Sequence, residues 1–257
     1  MKFLRFSIYK ILKRFIDIAL ALFGLLFFSP LLFIAIFLVW AQDFNSPFYV
    51  ADRVGRNHKL FKMVKIRSMV KNADKAGIDS TSSEDMRITK VGKFIRRFKL
   101  DEITQLWNVL IGSMTLVGPR PNVKRETDLY TKIEMKLLTV KPGITDFASI
   151  VFADEGEILS KHDDPDIAYN QLIRPSKSKL GLFYIGLNKI SIDFFLIFLT
   201  VSALLSRRRA LNLVSKLLKY LKADSELIEV ASRKSPLIPS PPPGSTQIIQ
   251  SRDIGYN

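Results

Sequence analysis

The chain has 257 residues, enough for one domain of ordinary size with appendages. Lys and Arg number 39 against 24 Asp and Glu, a formal charge of +15, and 47% of residues are hydrophobic, which excludes a wholly disordered chain. The absence of cysteine excludes a disulfide framework, a thiol nucleophile and Cys-ligated zinc, and two distant histidines, His58 and His162, argue against a His-built metal site or triad. A large positive charge on a hydrophobic chain points to nucleic acid or to an anionic membrane surface, and the distribution of charge separates the two.

Lys2, Arg5, Lys10, Lys13 and Arg14 open the chain with no acid among them, and Ile18 to Trp40 then runs 23 residues without a charge. At about 1.5 Å per residue, a helix of that length can cross a hydrocarbon core of ~30 Å. The run is too long for a cleavable signal peptide, and no small-residue cleavage site follows it. Both of its flanks are basic, residues 51–100 carrying fourteen Lys and Arg against five acids. Basic flanks mark the cytoplasmic side of a membrane, so one crossing places one flank wrongly. Ser29-Pro30 lies at the middle of the run. Proline removes an intrahelical hydrogen bond there, and serine can satisfy the freed carbonyl. Two readings follow: a proline-kinked spanning helix, or a re-entrant helix that breaks at Ser29-Pro30 and returns to the same face.

Phe48 to Val50 and Leu60 to Ile66 read as strands flanking a Gly55-Arg56-Asn57 turn, a hairpin. Residues 70–86 read as a short polar helix and a Ser/Thr/Asp loop. Ile95 to Leu110 reads as helical, broken near Leu100-Asp101 and ended by Gly112. Gly118-Pro119-Arg120-Pro121 forces a turn or an extended loop. Residues 123–139 read as an amphipathic helix closed by Pro142-Gly143. Phe194 to Leu205 is apolar but too short to span, which suits a buried or interfacial helix. Leu211, Val214, Leu217, Leu218 and Leu221 follow at helical spacing with Lys216, Lys219 and Lys222 between them, a basic amphipathic helix for a bilayer or a partner. Pro236, Pro239 and Pro241 to Pro243 begin a tail read as disordered.

Arg87 to Pro121 is chemically the richest stretch. Six cations, Arg87, Lys90, Lys93, Arg96, Arg97 and Lys99, precede the adjacent acids Asp101-Glu102, and Arg120 follows. Two carboxylates at a helix start are stabilised by the helix dipole whatever their function. An aspartate kept ionised by cations can also attack phosphorus, while a neighbouring glutamate holds Mg2+ that bridges phosphate oxygens. Nearby arginines then stabilise the transferring phosphoryl charge. Pro119 and Pro121 stiffen the backbone around Arg120, so its guanidinium loses less freedom on gripping a diphosphate.

Several runs together resemble the bacterial sugar transferase family, the monotopic phosphoglycosyl transferases that initiate glycan assembly on polyprenol phosphate. They are Lys65 to Met69, Asp85 to Gly92, Leu100 to Leu110 and Gly112 to Pro121. Lys13 to Asp17 ahead of the apolar run, Ser29-Pro30 inside it, Pro142 to Thr145, and the Tyr184 to Thr200 stretch with Ser191 and Asp193 also match. The resemblance covers roughly residues 10–203 in consistent order. It implies an α/β, mostly helical, monotopic membrane enzyme with a re-entrant N-terminal helical hairpin, a small catalytic domain containing a short β-hairpin, and interfacial amphipathic helices. It implies that Asp101 is the nucleophile, attacking the sugar-linked phosphate of a UDP-sugar, releasing UMP and holding the phospho-sugar until polyprenol phosphate takes it. Glu102 would be the Mg2+-associated carboxylate, Arg96 a basic residue beside the dyad, and Pro119-Arg120-Pro121 the nucleotide-side contact. Lys65, Arg67, Arg87 and Asp193 are the further substrate-binding candidates.

The expected organisation is a basic N-terminus with a re-entrant membrane helix over 1–44, a cytoplasmic catalytic domain over 45–203, a basic amphipathic helix over 204–230 and a loose Pro-rich tail over 231–257. The resemblance implies the bacterial inner membrane, with the catalytic domain on the cytoplasmic face, inner-membrane lipid as a partner and a homo-oligomer left open. The chain departs from the family pattern at Ile103-Thr104, where proline is frequent two residues after the dyad, and at Asp146 to Ser149, which bears on the sugar pocket. Two rival readings are a membrane-anchored nucleic-acid-binding protein and a non-catalytic scaffold. No helix-turn-helix, RNA-recognition or zinc pattern supports the first, so no nucleic acid is expected. The intact Asp101, Glu102 and Arg120 argue against the second.

Overall fold

The computed structural model describes residues 2–73 and 81–251, with side chains from Ile8 onwards. It is mostly helical. Helix α1 (Lys2–Ala41) is followed by an antiparallel hairpin of β1 (Phe48–Val54) and β2 (Leu60–Ile66), in register from Phe48 opposite Ile66 to Val54 opposite Leu60. Three short helices come next: α2 (Lys90–Arg97), α3 (Leu100–Ile103) and α4 (Gln105–Leu110). Strand β3 (Thr115–Val117) pairs in parallel with β4 (Gly143–Thr145), across α5 (Lys124–Asp128) and a 3-10 turn (Glu134–Thr139). The rest is helical: α6 (Phe147–Val151), α7 (Glu155–Leu159), α8 (Pro165–Ala168), a π turn (Tyr169–Ile173), α9 (Arg174–Leu187), α10 (Ile190–Leu205), α11 (Arg207–Tyr220) and α12 (Ser225–Ser232).

The hairpin and the helix break before Asp101 match the sequence reading. Lys99, at φ 56°, adopts the left-handed conformation that ends α2 and starts α3 in a new direction. The expected break at Ser29-Pro30 differs. Helix α1 is assigned without interruption, with Pro30 inside it, in place of a hairpin. The Ser29 hydroxyl donates to the Leu26 carbonyl at 2.8 Å, the very carbonyl that the missing Pro30 N–H leaves free, so the helix is not forced to end there.

One face of α1 lies on the domain along most of its length. Near its start, Arg14 donates to the Val109 and Leu110 carbonyls at 2.5 and 2.7 Å. The buried Asp17 accepts from the Thr115 hydroxyl at 2.6 Å and the Leu116 amide at 3.0 Å. Lys13 pairs with Asp193 at 2.7 Å, and Asp193 also accepts from the Tyr184 hydroxyl at 2.5 Å. Near its end, Leu32, Ala35 and Val39 pack with Ile66, Ile95 and Leu100. The opposite face, with Phe15, Phe23, Phe27, Phe33 and Phe37, is exposed. Helix α1 is long and apolar enough to cross a membrane. The main core gathers Met114, Val117, Phe147, Ile150, Ile173, Leu180, Leu196, Leu199, Val214 and Leu218 from β3 through α11.

Three expectations are corrected. The amphipathic helix over 123–139 is two pieces, because Leu129 to Ile133 between them is occupied by buried turns around Tyr130 and Thr131. The basic helix over 204–230 is α11 plus α12, bent at Lys222 (φ 57°), and its apolar side is not free for a bilayer: Leu211, Val214 and Leu218 enter the protein core. The Pro-rich tail is laid against the domain as far as Ser251. Ser240 N–H donates to the Gln171 carbonyl at 3.1 Å, the Gln171 amide donates to the Ile249 carbonyl at 2.6 Å, Thr131 donates to the Pro243 carbonyl, and Ile249 is buried. Residues 252–257, and residues 74–80 of the expected polar helix over 70–86, lie outside the described residues.

Candidate active site

Asp101 and Glu102 occupy the first turn of α3, and β2 holds that turn in place. Thr104 donates its hydroxyl to the Val64 carbonyl at 3.2 Å. Four residues on, Asn108 accepts from the Val64 amide at 2.9 Å and donates to the Lys62 carbonyl at 2.7 Å. These contacts lock the backbone just ahead of Lys65, and Lys65 is among the groups acting most strongly on both acids. Thr104 and Asn108 were missed in the sequence as site supports. Their signal was an i, i+4 pair of hydrogen-bonding side chains on one helical run.

Arg120 arrives from the opposite side. The β3–β4 pairing continues past its strands: Gly118 N–H donates to the Thr145 carbonyl and Gly143 N–H to the Pro119 carbonyl, each at 2.9 Å. The backbones approach so closely that a Cβ on Gly143 would stand 2.1 Å from the Gly118 nitrogen, so only glycine fits. The loop so fixed aims Arg120 at the dyad. Its Nη1 and Nη2 each donate to a Glu102 oxygen at 3.0 Å, and Nη1 also donates to the Ile144 carbonyl at 2.7 Å. This is the bidentate fork geometry that arginine makes with carboxylates.

The two acids differ in their partners. Burial raises the pKa of Glu102, but Arg120, Lys99 and Lys65 outweigh it and hold the carboxyl well below the usual range. Burial raises the pKa of Asp101 too, and there it prevails: Lys65 pulls it down, Glu102 pushes it up, and Arg96 and Lys99 pull it down again. Among the described residues, no hydrogen bond or ion pair closes on the Asp101 carboxylate, although only 8% of the residue is exposed. Burial lowers the pKa of Lys65 against the pull of Asp101 and Glu102. The Nη1 of Arg96 is buried with no hydrogen-bond partner. An unpartnered anion among cations, one of which has a free buried donor, is arranged to receive a group carrying both charge and acceptors.

Asp101, Glu102, Arg96, Lys65, Arg120 and the flanking Pro119 and Pro121 are thus gathered together. Three other candidates have their charges taken up elsewhere. Arg67 grips Asp43 at 2.5 and 2.6 Å and donates to the Ser46 carbonyl, tying the end of α1 to β2. Arg87 pairs with Asp85 at 2.6 Å and donates to the Ala73 carbonyl. Asp193 belongs to the Lys13–Tyr184 cluster.

Beyond Arg120 lies a shallow recess lined by Asn122, Tyr130, Asp146, Tyr169 and Lys177 among others. Asn122 donates to the Tyr130 hydroxyl at 2.9 Å. The sequence reading missed this wall, because its parts come from four separate segments. As for Mg2+, no three His, Asp or Glu side chains cluster among the described residues. That fits a magnesium ion held by one or two carboxylates together with substrate phosphates. Each Glu102 oxygen accepts one bond from Arg120, and the ionised carboxylate keeps further lone pairs.

The family described as bacterial sugar transferase matches residues 8–207. The UDP-N-acetylgalactosamine-undecaprenyl-phosphate N-acetylgalactosaminephosphotransferase of Aeromonas hydrophila is 35% identical over 61% of this chain and 39% of its own length. The galactosyl transferase CpsE of Streptococcus agalactiae serotype III is 40% identical over 56% of this chain and 34% of its own length. The UDP-galactose-lipid carrier transferase of Erwinia amylovora is 38% identical over 53% of this chain and 31% of its own length. The chain therefore spans between three and four tenths of the length of these relatives. It belongs to the bacterial sugar transferase family.

Proposed function

We propose that this family member transfers a sugar-1-phosphate from a UDP-sugar to a polyprenol phosphate such as undecaprenyl phosphate, through a covalent intermediate on Asp101. The observation that carries the proposal is the unpartnered Asp101 carboxylate beside a Glu102 clamped by Arg120. A carboxylate held by a bidentate arginine is a poor nucleophile, whereas one destabilised by burial and free of hydrogen bonds gains by bonding to phosphorus. An Asp101 oxygen attacks the sugar-linked phosphorus, the bond to the bridging oxygen breaks, and UMP leaves. An oxygen of polyprenol phosphate then attacks the same phosphorus and Asp101 leaves, giving polyprenol diphosphate sugar. Lys65 and the free donor of Arg96 stabilise the transferring charge. Glu102, with the donor's phosphates, would hold Mg2+, which when bound neutralises diphosphate charge.

The relatives' named substrates, N-acetylgalactosamine and galactose derivatives of UDP, support this donor class and leave the sugar itself to experiment. The docking of α1 supports same-side topology. Asp17 binds β3, and Asp43, just past the apolar run, binds Arg67, the residue after β2. One domain holding both ends of the run is awkward for a spanning helix and natural for one that stays on a single face, which we assign to the cytoplasm of the bacterial inner membrane.

The test is the intermediate. Purified protein with UDP-sugar and Mg2+ but no lipid should release up to one UMP per active site, gain the mass of a phospho-sugar and carry that mass on Asp101. UMP that appears only with lipid, with no adduct on the protein, would point to direct transfer.

A further inference from the structure

Away from the dyad, α4 ends at Leu110 and the chain turns through Gly112, whose φ of +85° suits glycine. Two cations meet over that turn. The point a Cβ on Gly112 would occupy is 3.3 Å from Nη2 of Arg14 and 3.5 Å from Nζ of Lys141. Arg14 is anchored by the Val109 and Leu110 carbonyls, which use two of its five N–H donors and leave three. The Lys141 ammonium has no hydrogen bond or ion pair among the described residues. Arg56 adds a further positive charge, and among the described residues the acid acting on Lys141 with them is Asp17, whose oxygens already accept from Thr115 and Leu116. Like charges gathered without a counterion repel, so the cluster gains if an anion sits among them.

The surroundings say what kind of anion. Arg14 lies on α1 four residues before the uncharged run begins, between the exposed Ile11 and Phe15. On α4 and just past it, Trp107 and Ile111 are more than half exposed, four residues apart and so on one side. A cation pair on segments that carry exposed aromatic and aliphatic side chains, with tryptophan among them, has the make-up of a membrane interface.

We propose that Arg14 and Lys141 form a binding site, separate from the Asp101 centre, for the phosphate of a membrane lipid whose tail lies along Ile11, Phe15, Trp107 and Ile111. The site does not depend on the transfer reaction. It would set the depth at which α4, and with it the adjoining α3, sits on the bilayer.

Native mass spectrometry of the full chain in detergent tests it, with dioleoylphosphatidylglycerol, a polyprenol phosphate or inorganic phosphate added in turn. Phosphatidylglycerol should bind one per chain, with affinity reduced about tenfold in Lys141→Gln, the size expected for losing one charge-assisted contact, and restored in Lys141→Arg, while polyprenol phosphate, which is also the proposed acceptor at Asp101, should bind up to two and lose one of them in Lys141→Gln. Competition between the two lipids shows which one the site prefers. Lys136→Gln, a change at an exposed lysine elsewhere, should leave binding unaltered. The Lys141 ammonium makes no hydrogen bond among the described residues, so its replacement should not shift the melting temperature and a loss of fold cannot mimic the result. Equal lipid retention by wild type and Lys141→Gln overturns the proposal, as does binding of inorganic phosphate with displacement of both lipids.

Discussion

Two forked arginine–glutamate pairs, Arg174–Glu134 and Arg120–Glu102, differ in a way that separates scaffold from site. Arg174 and Glu134 are fully buried, and nearly all of their hydrogen-bonding groups are used. Arg174 donates to both Glu134 oxygens at 3.0 and 2.6 Å, to Asn170 at 2.9 Å and to the Leu129 carbonyl, while Ser178 and the Thr131 amide donate to Glu134. Four of the five Arg174 N–H donors and both Glu134 oxygens are taken, which leaves one donor. Arg120 and Glu102 form a similar fork at 3.0 Å, but about a fifth of each side chain is exposed. Beside them stand an unpaired aspartate and an arginine with a free donor. A closed pair holds the fold together; an open one, with unbalanced neighbours, is set to act on something else.

The largest effect should come from the open side. Asp101→Asn should reduce turnover to the limit of detection, since an amide cannot form the acyl phosphate. It should not destabilise the protein. The folded pKa of Asp101 is raised, so ionising it opposes folding, and that penalty develops as pH rises from its unfolded value through its folded one. The asparagine variant avoids the penalty, and at neutral pH it should melt at or above wild type. A clear drop in melting temperature would mean that Asp101 is a structural anchor like Glu134.

Glu134→Gln should do the reverse. Leaving Arg174 buried beside a neutral amide should cost about 3–5 kcal/mol in denaturant unfolding, with transfer per folded molecule nearly unchanged. Arg120→Lys falls between. Its pair is partly hydrated, so about 1 kcal/mol of stability should go, while loss of the fork should lower kcat about ten- to a hundredfold. If stability fell as far as in Glu134→Gln, the contrast between open and closed pairs would be wrong.

The open pair was legible because its parts are local or stiff: two adjacent acids after a cationic run, and an arginine between prolines. The closed pair was not, because Glu134 and Arg174 lie forty residues apart and meet only once α9 has packed on the 3-10 turn. Periodicity found the hairpin and α10 for the same local reason. It misjudged α11, since a leucine stripe looks the same whether it faces lipid or Phe147 and Leu199. Arg67, Arg87 and Asp193 have partners that their motifs do not announce. A charged side chain in a matching run can be pairing inside the fold, and sequence does not distinguish the two.

A pH profile sharpens the account of Asp101. Attack needs the carboxylate, so transfer should rise with pH along a limb lying above the ordinary aspartate value of about 4. Lys65 favours the charged form, so Lys65→Met should move the limb upward. An unmoved limb in that variant would mean that another group controls it.

The smallest effect concerns the tail, which packs behind the closed pair and not at the open one. Gln171 binds it twice, its carbonyl accepting from Ser240 and its amide donating to the Ile249 carbonyl. Gln171→Ala removes only the second bond, at a partly exposed site, so stability should fall by about 0.5–1.5 kcal/mol. Amide exchange should then quicken over residues 240–251 while α3 and β2 keep their protection. Transfer should be unaffected, because Gln171 is not among the residues lining the recess. Slower transfer with unchanged stability would show that the tail shapes the site, and the division between scaffold and open pair would have to be redrawn to include it.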